Sequence, residues 1–269
     1  MTVLSYMPVT HALISLGLMQ LLPALTPDTA LFLDFDGTLA ALAPQPDAVH
    51  MPIGLMPTLA VLQQKLGGAL AIITGRRRTD IDHFFDPLRL PMASEHGAQY
   101  RFSDGSNSGI AAPDLSAALL AAKKLVHQHA GLVLEHKTSS MALHYRLAPQ
   151  LEALCRDTLV TAIKGMDGVE ILPGKYVFEI KPAGVNKGQA IIFFMSHAPF
   201  AGRTPLFAGD DATDEAGFAA VQDLGGHGIK IGLGLSRARY RCPNPASLRA
   251  WLDRGRSSLP APSFGGSAV

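Results

Sequence analysis

The sequence has few cysteines and no surplus of charge of either sign, and both shortages exclude classes of protein. Cys155 and Cys242 are the two cysteines among 269 residues, and they lie too far apart for a zinc or redox motif. Lysine plus arginine total 23 against 22 aspartate plus glutamate, so no overall field attracts nucleic acid or an anionic membrane. The spacing of the cysteines suits a reducing compartment, so the expected location is the cytoplasm, and a disulfide between the two cysteines is the less favoured alternative. Any anionic ligand must be held by a local cluster of charges.

The sequence also lacks an uninterrupted apolar run of the roughly 20 residues that a membrane-spanning helix needs. The first 28 residues form an apolar extension, but polar residues, glycine and proline interrupt residues 11–25, and no cationic start of an export signal precedes them. We predict a helix there that packs on the body of the protein or on a partner. Residues 257–269 are rich in serine, proline, glycine and alanine and are predicted to be a flexible tail. We expect no membrane partner, and a monomer or weak oligomer.

Short apolar runs that end in polar or glycine-rich turns alternate with helical patterns, which predicts an α/β fold with a parallel sheet. The predicted strands are residues 30–35, 69–73, 205–208 and 228–231, and the predicted crossover helices are residues 57–66, 79–85, 187–195, 214–221 and 245–254. In open sheets of this kind ligands bind beyond the carboxyl ends of the strands. Polar residues at those ends are therefore the site candidates.

The middle of the chain breaks this alternation and is predicted to be a smaller α+β unit, residues 103–181, inserted into the core. The predicted elements of this unit are strands over residues 132–134 and 141–147, a helix over residues 150–165, and a strand pair within residues 169–180 that turns at Pro173-Gly174. The core is then formed by residues 29–102 and 182–256.

The first predicted strand ends in Asp34-Phe35-Asp36-Gly37-Thr38, where the chemistry is expected. Alternation along an extended segment sends Asp34 and Asp36 to the same side. Two negative charges this close repel each other, and the repulsion is relieved when a cation lies between them or when one carboxyl is protonated. Gly37 allows a tight turn whose backbone N–H groups point at an anion. The alternative is a capped turn with two solvated aspartates, but the strand is very apolar, which favours a site.

Two further segments supply groups that bind phosphate. Thr74-Gly75-Arg76 follows the second predicted strand and offers a hydroxyl and a flexible turn. Lys187 opens a helix after the insert returns to the core, and its ammonium could meet both a phosphate and Asp34. A lysine at a helix start is more often simply solvated. The two segments therefore indicate a phosphate site only in combination with the acidic end of the first strand.

A third segment, residues 209–215, contains four acidic residues within six positions directly after the strand at residues 205–208. Oxygen ligands at this density suit a hard cation such as magnesium. The alternative is an acidic helix start, because aspartates also cap helices and complement the helix dipole. Asp210 is therefore the one firm metal ligand predicted in this segment.

Taken in order, these motifs resemble those of haloacid dehalogenase phosphatases, which implies a Rossmann-like parallel core with a C2-type cap. Further segments resemble the trehalose-6-phosphate phosphatase family in particular, over roughly residues 30–251. The segments that carry this closer resemblance are Glu95-His96-Gly97, Glu135-His136-Lys137, His144-Tyr145-Arg146, Gly174-Lys175, Glu179-Ile180-Lys181-Pro182 and residues 209–215. Thr74 stands where many relatives have serine, which preserves the hydroxyl.

The resemblance implies that Asp34 is the nucleophile and forms an aspartyl phosphate. Asp36 is then expected to protonate the departing sugar oxygen and later to accept a proton from the attacking water. Thr74 and Lys187 are expected to hold the phosphoryl oxygens. The substrate implied is a phosphorylated sugar, trehalose 6-phosphate.

The resemblance also implies a Mg²⁺ cofactor, bound by Asp34, the backbone carbonyl of Asp36 and Asp210. Asp211 and Asp214 are expected to orient these ligands rather than to touch the metal, with Asp214 kept as a possible ligand through water.

Substrate choice is expected to lie in the insert, which resembles the cap of this family. A disaccharide offers hydroxyl pairs, which charged and amide groups bind. The foremost candidates are Glu135, Lys137 and Glu179. Further substrate-binding candidates are Gly37, Gly75, Arg76, His96, His144, Arg146 and Lys175. His144 and Arg146 share one face of a predicted strand and could equally be its solvated side, and His96 could brace a loop. Hinges for the cap are expected at residues 102–109 and 181–186.

Two other functions stay open at this level. Another haloacid dehalogenase sugar phosphatase, of the sucrose-phosphate or mannosyl-3-phosphoglycerate type, or a phosphomutase could use the same core, because fold and mechanism do not fix the substrate. The second open function is that of a non-catalytic regulatory domain that binds a sugar phosphate. It is disfavoured because the motif acids, Thr74 and Lys187 are all present.

Overall fold

The computed structural model describes residues 21–42 and 49–261. Its strands and α-helices, in chain order, are β1 (Thr29–Leu33), α1 (Leu55–Lys65), β2 (Leu70–Ile73), α2 (Arg78–Phe85), β3 (Met92–Ser94), β4 (Gln99–Arg101), β5 (Asn107–Gly109), α3 (Ser116–Gln128), β6 (Val133–His136), β7 (Met141–His144), α4 (Glu152–Ala162), β8 (Val169–Gly174), β9 (Val177–Pro182), α5 (Lys187–Met195), β10 (Thr204–Gly209), α6 (Glu215–Asp223), β11 (His227–Ile231), β12 (Tyr240–Cys242) and α7 (Pro245–Ser258). Short 3₁₀ turns cover Glu95–Gly97, Pro149–Leu151 and Ala212–Asp214. In the described part of the chain, no helix has the length and apolar character needed to cross a membrane.

The larger sheet has eight strands in the order β12-β11-β10-β1-β2-β3-β4-β5. The strands from β12 to β3 run parallel, and β4 and β5 continue the sheet antiparallel. Strand β1 lies between β10 and β2, with Leu31 paired to Leu206 on one side and to Leu70 on the other. The carboxyl ends of these three strands therefore meet at one edge, the place where ligands bind in open α/β sheets.

Helices cover both faces of this sheet, which is why its central strands are apolar throughout. In β1, Leu31 and Leu33 pack into a cluster with α1, α2 and α7 on one face, whereas Ala30 and Phe32 pack with α5 and α6 on the other. Phe32 is fully buried, and its ring lies 5.3 Å from that of Phe200. Burial of a side chain of this size stabilises the fold by about 1.5–3 kcal/mol.

The smaller unit is a four-stranded antiparallel sheet in the order β6-β7-β9-β8, with α3 and α4 on one face. Alternate residues such as Met141, Leu143 and Ile180 are buried against these helices. The residues between them point to the opposite face, because side chains alternate along a strand. That second face carries Glu135, His144 and Glu179, and we call it the polar face of the cap.

The predicted α/β class, with a parallel core and a smaller α+β unit, is confirmed. The four predicted core strands and five predicted core helices occur within a few residues of their expected bounds. The short strands β3, β4, β5 and β12 were not predicted, because runs of three residues carry no periodicity. Residues 107–109 form β5 of the larger sheet, so the predicted start of the insert at residue 103 is too early.

Several predictions within and beside the insert need correction. Helix α3 was missed, and the strand expected over residues 141–147 ends at His144 in a turn. The β8–β9 pair turns at Lys175-Tyr176 rather than at Pro173-Gly174, because Tyr176 takes the left-handed conformation with φ 65°. Residues 257 and 258 continue α7 and the following leucine is buried, so the predicted tail starts too early.

The N-terminal helix predicted at residues 11–25 lies mostly outside the described residues. Residues 21–25 are not helical. They do pack on the core: Leu25 is buried against α7, and the indole Nε1 of Trp251 donates to the carbonyl oxygen of Pro23 over 3.1 Å.

Candidate active site

Three neighbouring strands of the larger sheet end in the polar groups predicted to carry the chemistry. Asp34 follows β1, Thr74 follows β2, and Asp210 follows β10. Lys187 is the first residue of α5, whose N-cap Asn186 accepts a hydrogen bond from the backbone of Gln189. The topology therefore brings residues that are up to 176 positions apart in the sequence to one sheet edge.

Lys187 lies between two carboxylates in the interior. Its Nζ donates to Asp34 Oδ1 over 2.8 Å and to Asp214 Oδ1 over 2.6 Å, and the three side chains are at most 5% exposed. Burial raises the pKa of Asp34 well above its ordinary value, against the opposing effect of Lys187. For Lys187 itself burial acts to lower the pKa, but the charges of Asp214 and Asp34 outweigh it and raise the pKa. The cation keeps its charge and neutralises part of the buried acidic cluster.

Asp214 and Asp211 support the loop that carries Asp210. Asp214 Oδ2 accepts the backbone N–H groups of Asp210 and Asp211 over 2.8 and 2.9 Å. Asp211 Oδ1 accepts the backbone N–H and the hydroxyl of Thr213, so Asp211 caps the turn before α6. Both oxygens of Asp214 are engaged, one by Lys187 and one by this loop. Both carboxylates thus hold backbone groups of this loop in place.

The same edge offers a set of donors for a hard divalent cation. Carboxylate oxygens of Asp34, Asp210 and Asp214 lie within 4.8 Å of one another. Burial, with the charges of Asp211 and Asp214, raises the pKa of Asp210 to about 7, as expected where negative charges are crowded without a cation. A Cβ on Gly37 would lie 2.1 Å from Asp210 Oδ2, so a glycine, with φ 75°, is needed there. The donors and their crowding fit a bound divalent metal.

Asp36 does not point into this cluster in the structure. Its carboxylate forms a two-point ion pair with Arg76, Nε to Oδ2 at 2.6 Å and Nη2 to Oδ1 at 2.7 Å. The guanidinium also lies over the rings of Phe35 and Phe84, 5.5 and 5.2 Å from their centres. Although burial acts to lower the pKa of Arg76, its hydrogen bond to Asp36 raises it. Arg76, which was predicted to bind substrate, is paired with Asp36 in the structure.

The turn at Glu95–Gly97 joins residues 74–76 to the cap; residues 74–76 are predicted to bind phosphate, and we call them the phosphate-binding turn. Glu95 and His96 both take the left-handed conformation, with φ 50° and 62°, which costs non-glycine residues about 1–2 kcal/mol each. The backbone N–H of Glu95 donates to the carbonyl of Arg76, and that of His96 donates to the carbonyl of Thr74. A Cβ on Gly75 would lie 2.6 Å from the His96 ring. The two turns are therefore tightly packed together.

On the cap side, Glu179 is the centre of a buried polar cluster. Its Oε1 accepts from Lys137 Nζ over 3.0 Å and from the hydroxyl of Ser140 over 2.8 Å, and His96 Nε2 lies 3.5 Å from Oε2. Burial opposes ionisation of Glu179, but Lys137 and His96 lower its pKa below the usual range. Lys137 Nζ also donates to the carbonyl of Gly75 over 3.0 Å. Cap groups and the phosphate-binding turn thus meet directly.

The remaining substrate candidates divide into two groups. Glu135 and His144 face each other at 3.2 Å on the polar face of the cap, and the hydrogen bond from His144 helps lower the pKa of Glu135 against the effect of burial. Arg146 and Lys175 lie at the far end of β7 and β9 from Glu179. There Arg146 donates to the Lys175 carbonyl and lies over the ring of Tyr176. The structure does not bring these two residues to the core.

A cavity of about 210 Å³ lies between the two units beside Lys187. Its lining comes from both sides: His96 and Thr213 belong to the core, and Glu170 and Leu172 belong to the cap. The space next to Lys187, the ion-pair partner of Asp34, is therefore shared between core and cap.

Lys230 and Glu95 lie next to the site and were not predicted as site residues. The buried Lys230 donates to the backbone carbonyl of Asp210. A lone charge inside the apolar strand β11 was a usable signal. Glu95 was noted within a motif without a role, and its two shortest contacts are to backbone N–H groups, which leave no trace in the sequence.

Comparisons with known proteins agree with this picture. A family model described as trehalose-phosphatase matches residues 32–240. The trehalose-6-phosphate phosphatase of Escherichia coli K12 is 41% identical over 243 residues, which are 88% of this chain and 90% of that protein. A solved structure described as a trehalose-6-phosphate phosphatase related protein has a TM-score of 0.73 and 28% identity, and the match covers 84% of this chain and 96% of that one. A haloacid dehalogenase-like hydrolase from B. subtilis shares the fold at 14% identity with a TM-score of 0.59, over 83% of this chain and 98% of that one. The resemblance inferred from the motifs is confirmed.

Proposed function

The chain belongs to the trehalose-phosphatase family, and on that premise we propose that it hydrolyses trehalose 6-phosphate to trehalose and inorganic phosphate in trehalose biosynthesis, with Mg²⁺ as cofactor. The observation that supports this most is the buried Asp34–Lys187 pair at the edge where Asp210 also lies, with the charged cap residues Lys137 and Glu179 next to it. All of these groups come from one chain, so we propose that a monomer suffices. Two buried free cysteines are in keeping with a cytoplasmic location.

The reaction divides into two displacements at phosphorus. An oxygen of Asp34 attacks the phosphorus atom, and the bond from phosphorus to the sugar oxygen breaks while Asp36 gives that oxygen a proton. Water then attacks the aspartyl phosphate and gives a proton to Asp36. The bond from phosphorus to Asp34 breaks and inorganic phosphate leaves. Lys187 and the Thr74 hydroxyl hold phosphoryl oxygens during both steps.

Asp36 must exchange partners to act in this way. Its carboxylate is held by Arg76, so it is placed next to the nucleophile but turned toward α2. Rotation of its side chain away from Arg76 brings it to the sugar oxygen. Because the ion pair holds Asp36 as a carboxylate, Asp36 takes up a proton from solvent when it leaves Arg76 and gives that proton to the sugar oxygen. After the second step it releases the proton received from water to solvent and returns to Arg76, and we assign Arg76 the role of positioning Asp36 between turnovers.

Asp34, Asp210 and the backbone carbonyl of Asp36 are the groups that would hold Mg²⁺. When bound, the ion shields the negative charge of the phosphate from that of Asp34 and keeps the transferring group in line. Asp214 and Lys230 position Asp210 from two sides, one through its backbone N–H and one through its carbonyl.

The cap is proposed to select the substrate. Its polar face carries Glu135, His144 and Glu179, with Lys137 of the turn after β6 bound to Glu179, and such charged groups bind hydroxyl pairs of a disaccharide. Residues 103–181 were the predicted cap, and the structure supports a start after β5. Arg146 and Lys175 would contact a sugar only after a shift of the cap relative to the core.

The test is release of inorganic phosphate from trehalose 6-phosphate, glucose 6-phosphate and sucrose 6-phosphate, with Mg²⁺ and with a chelator. We expect the highest kcat/KM for trehalose 6-phosphate, loss of activity with the chelator, and loss in the Asp34→Asn variant. The exposed Asp157→Asn variant serves as the matched control and is expected to keep full activity. Equal rates for all three sugars would refute the substrate assignment.

A further inference from the structure

One contact between the cap and the core is made by a hairpin turn, residues 137–140 between β6 and β7, which we call the docking turn. The carboxylate of Glu95, a residue that is only 1% exposed, accepts hydrogen bonds from this turn. Its Oε1 accepts the backbone N–H of Thr138 over 3.0 Å, and its Oε2 accepts that of Ser139 over 2.7 Å. The hydroxyl of Ser140, whose one hydrogen is engaged by Glu179 Oε1 at 2.8 Å, also lies 3.3 Å from Oε2. A single core carboxylate thus binds two consecutive backbone N–H groups of the cap and lies against a third residue.

Other contacts fasten the same turn. Gln99 Nε2 donates to the hydroxyl of Ser139 over 2.7 Å, and Lys137 Nζ donates to the carbonyl of Gly75. The turn is closed by a bond from the backbone N–H of Lys137 to the carbonyl of Ser140. Lys137 and Ser140 are also the two residues that bind Glu179 Oε1, so the position of the docking turn sets the position of that cluster.

We propose that Glu95 is a positioning residue, a latch that holds the docking turn on the core and thereby sets Lys137 and Glu179 over the phosphate-binding turn. The hydrogen-bond partners of its carboxylate, among the described residues, belong to the cap rather than to the strand tips. Its action on the reaction is therefore indirect and depends on the substrate. A sugar phosphate that reaches the cap needs the latch, whereas a small phosphate ester that is bound only at the strand tips does not.

The chemistry of the contact favours a carboxylate at this position. Two backbone N–H groups point at the two oxygens, and hydrogen bonds to a charged acceptor are stronger than those to a neutral one. In a Glu95→Gln variant, the amide of nearly the same shape can accept only one of these N–H groups and turns its own N–H₂ toward the other. The variant therefore removes the latch with little change of volume.

The first test uses the protein without substrate and does not depend on the proposed function. Amide hydrogen exchange is measured for a peptide that covers residues 137–140 in the wild type, in Glu95→Gln and in Asp114→Asn. Asp114 is an exposed carboxylate that accepts one backbone N–H from Ser116, so it is a matched control. We expect exchange at Thr138 and Ser139 to become at least about tenfold faster in Glu95→Gln alone. Unchanged exchange in that variant would overturn the proposal.

The second test rests on the proposed function and compares kcat and KM for trehalose 6-phosphate with those for p-nitrophenyl phosphate. We expect Glu95→Gln to lower kcat/KM for the sugar phosphate by about 10- to 100-fold and to leave the small ester within about twofold. An equal loss for both substrates would overturn the latch and assign Glu95 to the phosphate-binding turn. If the wild type itself does not prefer the sugar phosphate, the proposed function fails, and hydrogen exchange alone decides on the latch.

Discussion

Replacement of Lys187 by methionine is the perturbation with the largest expected effect on both stability and activity. Methionine keeps the length of the side chain but removes the cation that separates Asp34 from Asp214. At an effective dielectric constant of about 20, each contact corresponds to an attraction of roughly 6 kcal/mol, most of which is offset by the cost of burying the charges. Loss of one partner from a buried ionic cluster costs about 3–5 kcal/mol. We expect the metal-free Lys187→Met variant to lose that much free energy of unfolding.

The loss is expected to depend on pH in a definite direction. Burial raises the pKa of Asp34 and of Asp214, and the charge of Lys187 acts to lower both. The variant loses that opposing charge, so the pKa of each carboxyl should rise further. The folded variant then holds protons that the unfolded chain has released, so its stability falls as the pH rises between the ordinary and the raised pKa. In the wild type Lys187 stays protonated across this range, because its pKa is raised above the ordinary value. The difference between the two proteins should therefore be larger at about pH 8 than at about pH 5.5.

Urea denaturation followed by circular dichroism, in the presence of a chelator, measures this difference at both pH values. The exposed Lys123→Met variant is the control and should stay within about 0.5 kcal/mol of the wild type. Phosphate release by Lys187→Met should fall by at least about 100-fold with Mg²⁺ present. A destabilisation below about 1 kcal/mol, or one that does not change with pH, would refute the reasoning about the buried cluster.

Three further predictions follow from the metal edge and from the Asp36 pair. Gly37→Ala should fold but bind Mg²⁺ at least about tenfold more weakly by calorimetry, because its Cβ would meet the Asp210 carboxylate; unchanged binding would contradict this. The apparent Mg²⁺ affinity of the wild type should fall as the pH drops below about 7, because the proton on Asp210 competes with the ion; calorimetry at about pH 6 and pH 8 checks this, and equal affinities would argue against it. Arg76→Leu should lower kcat for trehalose 6-phosphate by about 10-fold or more with a smaller change in KM, because Asp36 loses the partner that positions it. Steady-state kinetics measures both constants, with Arg76→Lys as the comparison. A change in KM alone would show that Arg76 only binds substrate.

The sequence predicted those parts of the fold that carry a long and regular pattern. Strands β1, β2, β10 and β11 are apolar runs between helical segments, because helices bury both faces of a parallel sheet. Strand β5 is Asn-Ser-Gly, each of its residues is exposed, and it pairs with β4 alone, so no local pattern marks it. Helix α3 did carry a signal, since Ala118, Ala122 and Leu125 recur at spacings of four and three and are buried.

The site was predictable where it follows from topology and not where it depends on side-chain or backbone geometry. Asp34, Thr74 and Asp210 each stand at a strand end, and parallel strands bring such ends together. The pairing of Arg76 with Asp36 depends on rotamers that no spacing encodes. The role of Glu95 depends on two backbone N–H groups 43 and 44 positions away, which any residue at those positions would supply.

The most direct test of the account is to trap the phosphoryl group on the enzyme. The protein is mixed with trehalose 6-phosphate and Mg²⁺, quenched with acid within a single turnover, digested, and mapped by mass spectrometry. The account predicts one phosphate on the peptide that contains Asp34, and none in the Asp34→Asn variant. Phosphate on a different residue, or turnover of trehalose 6-phosphate that persists after Asp34 is replaced, would contradict it.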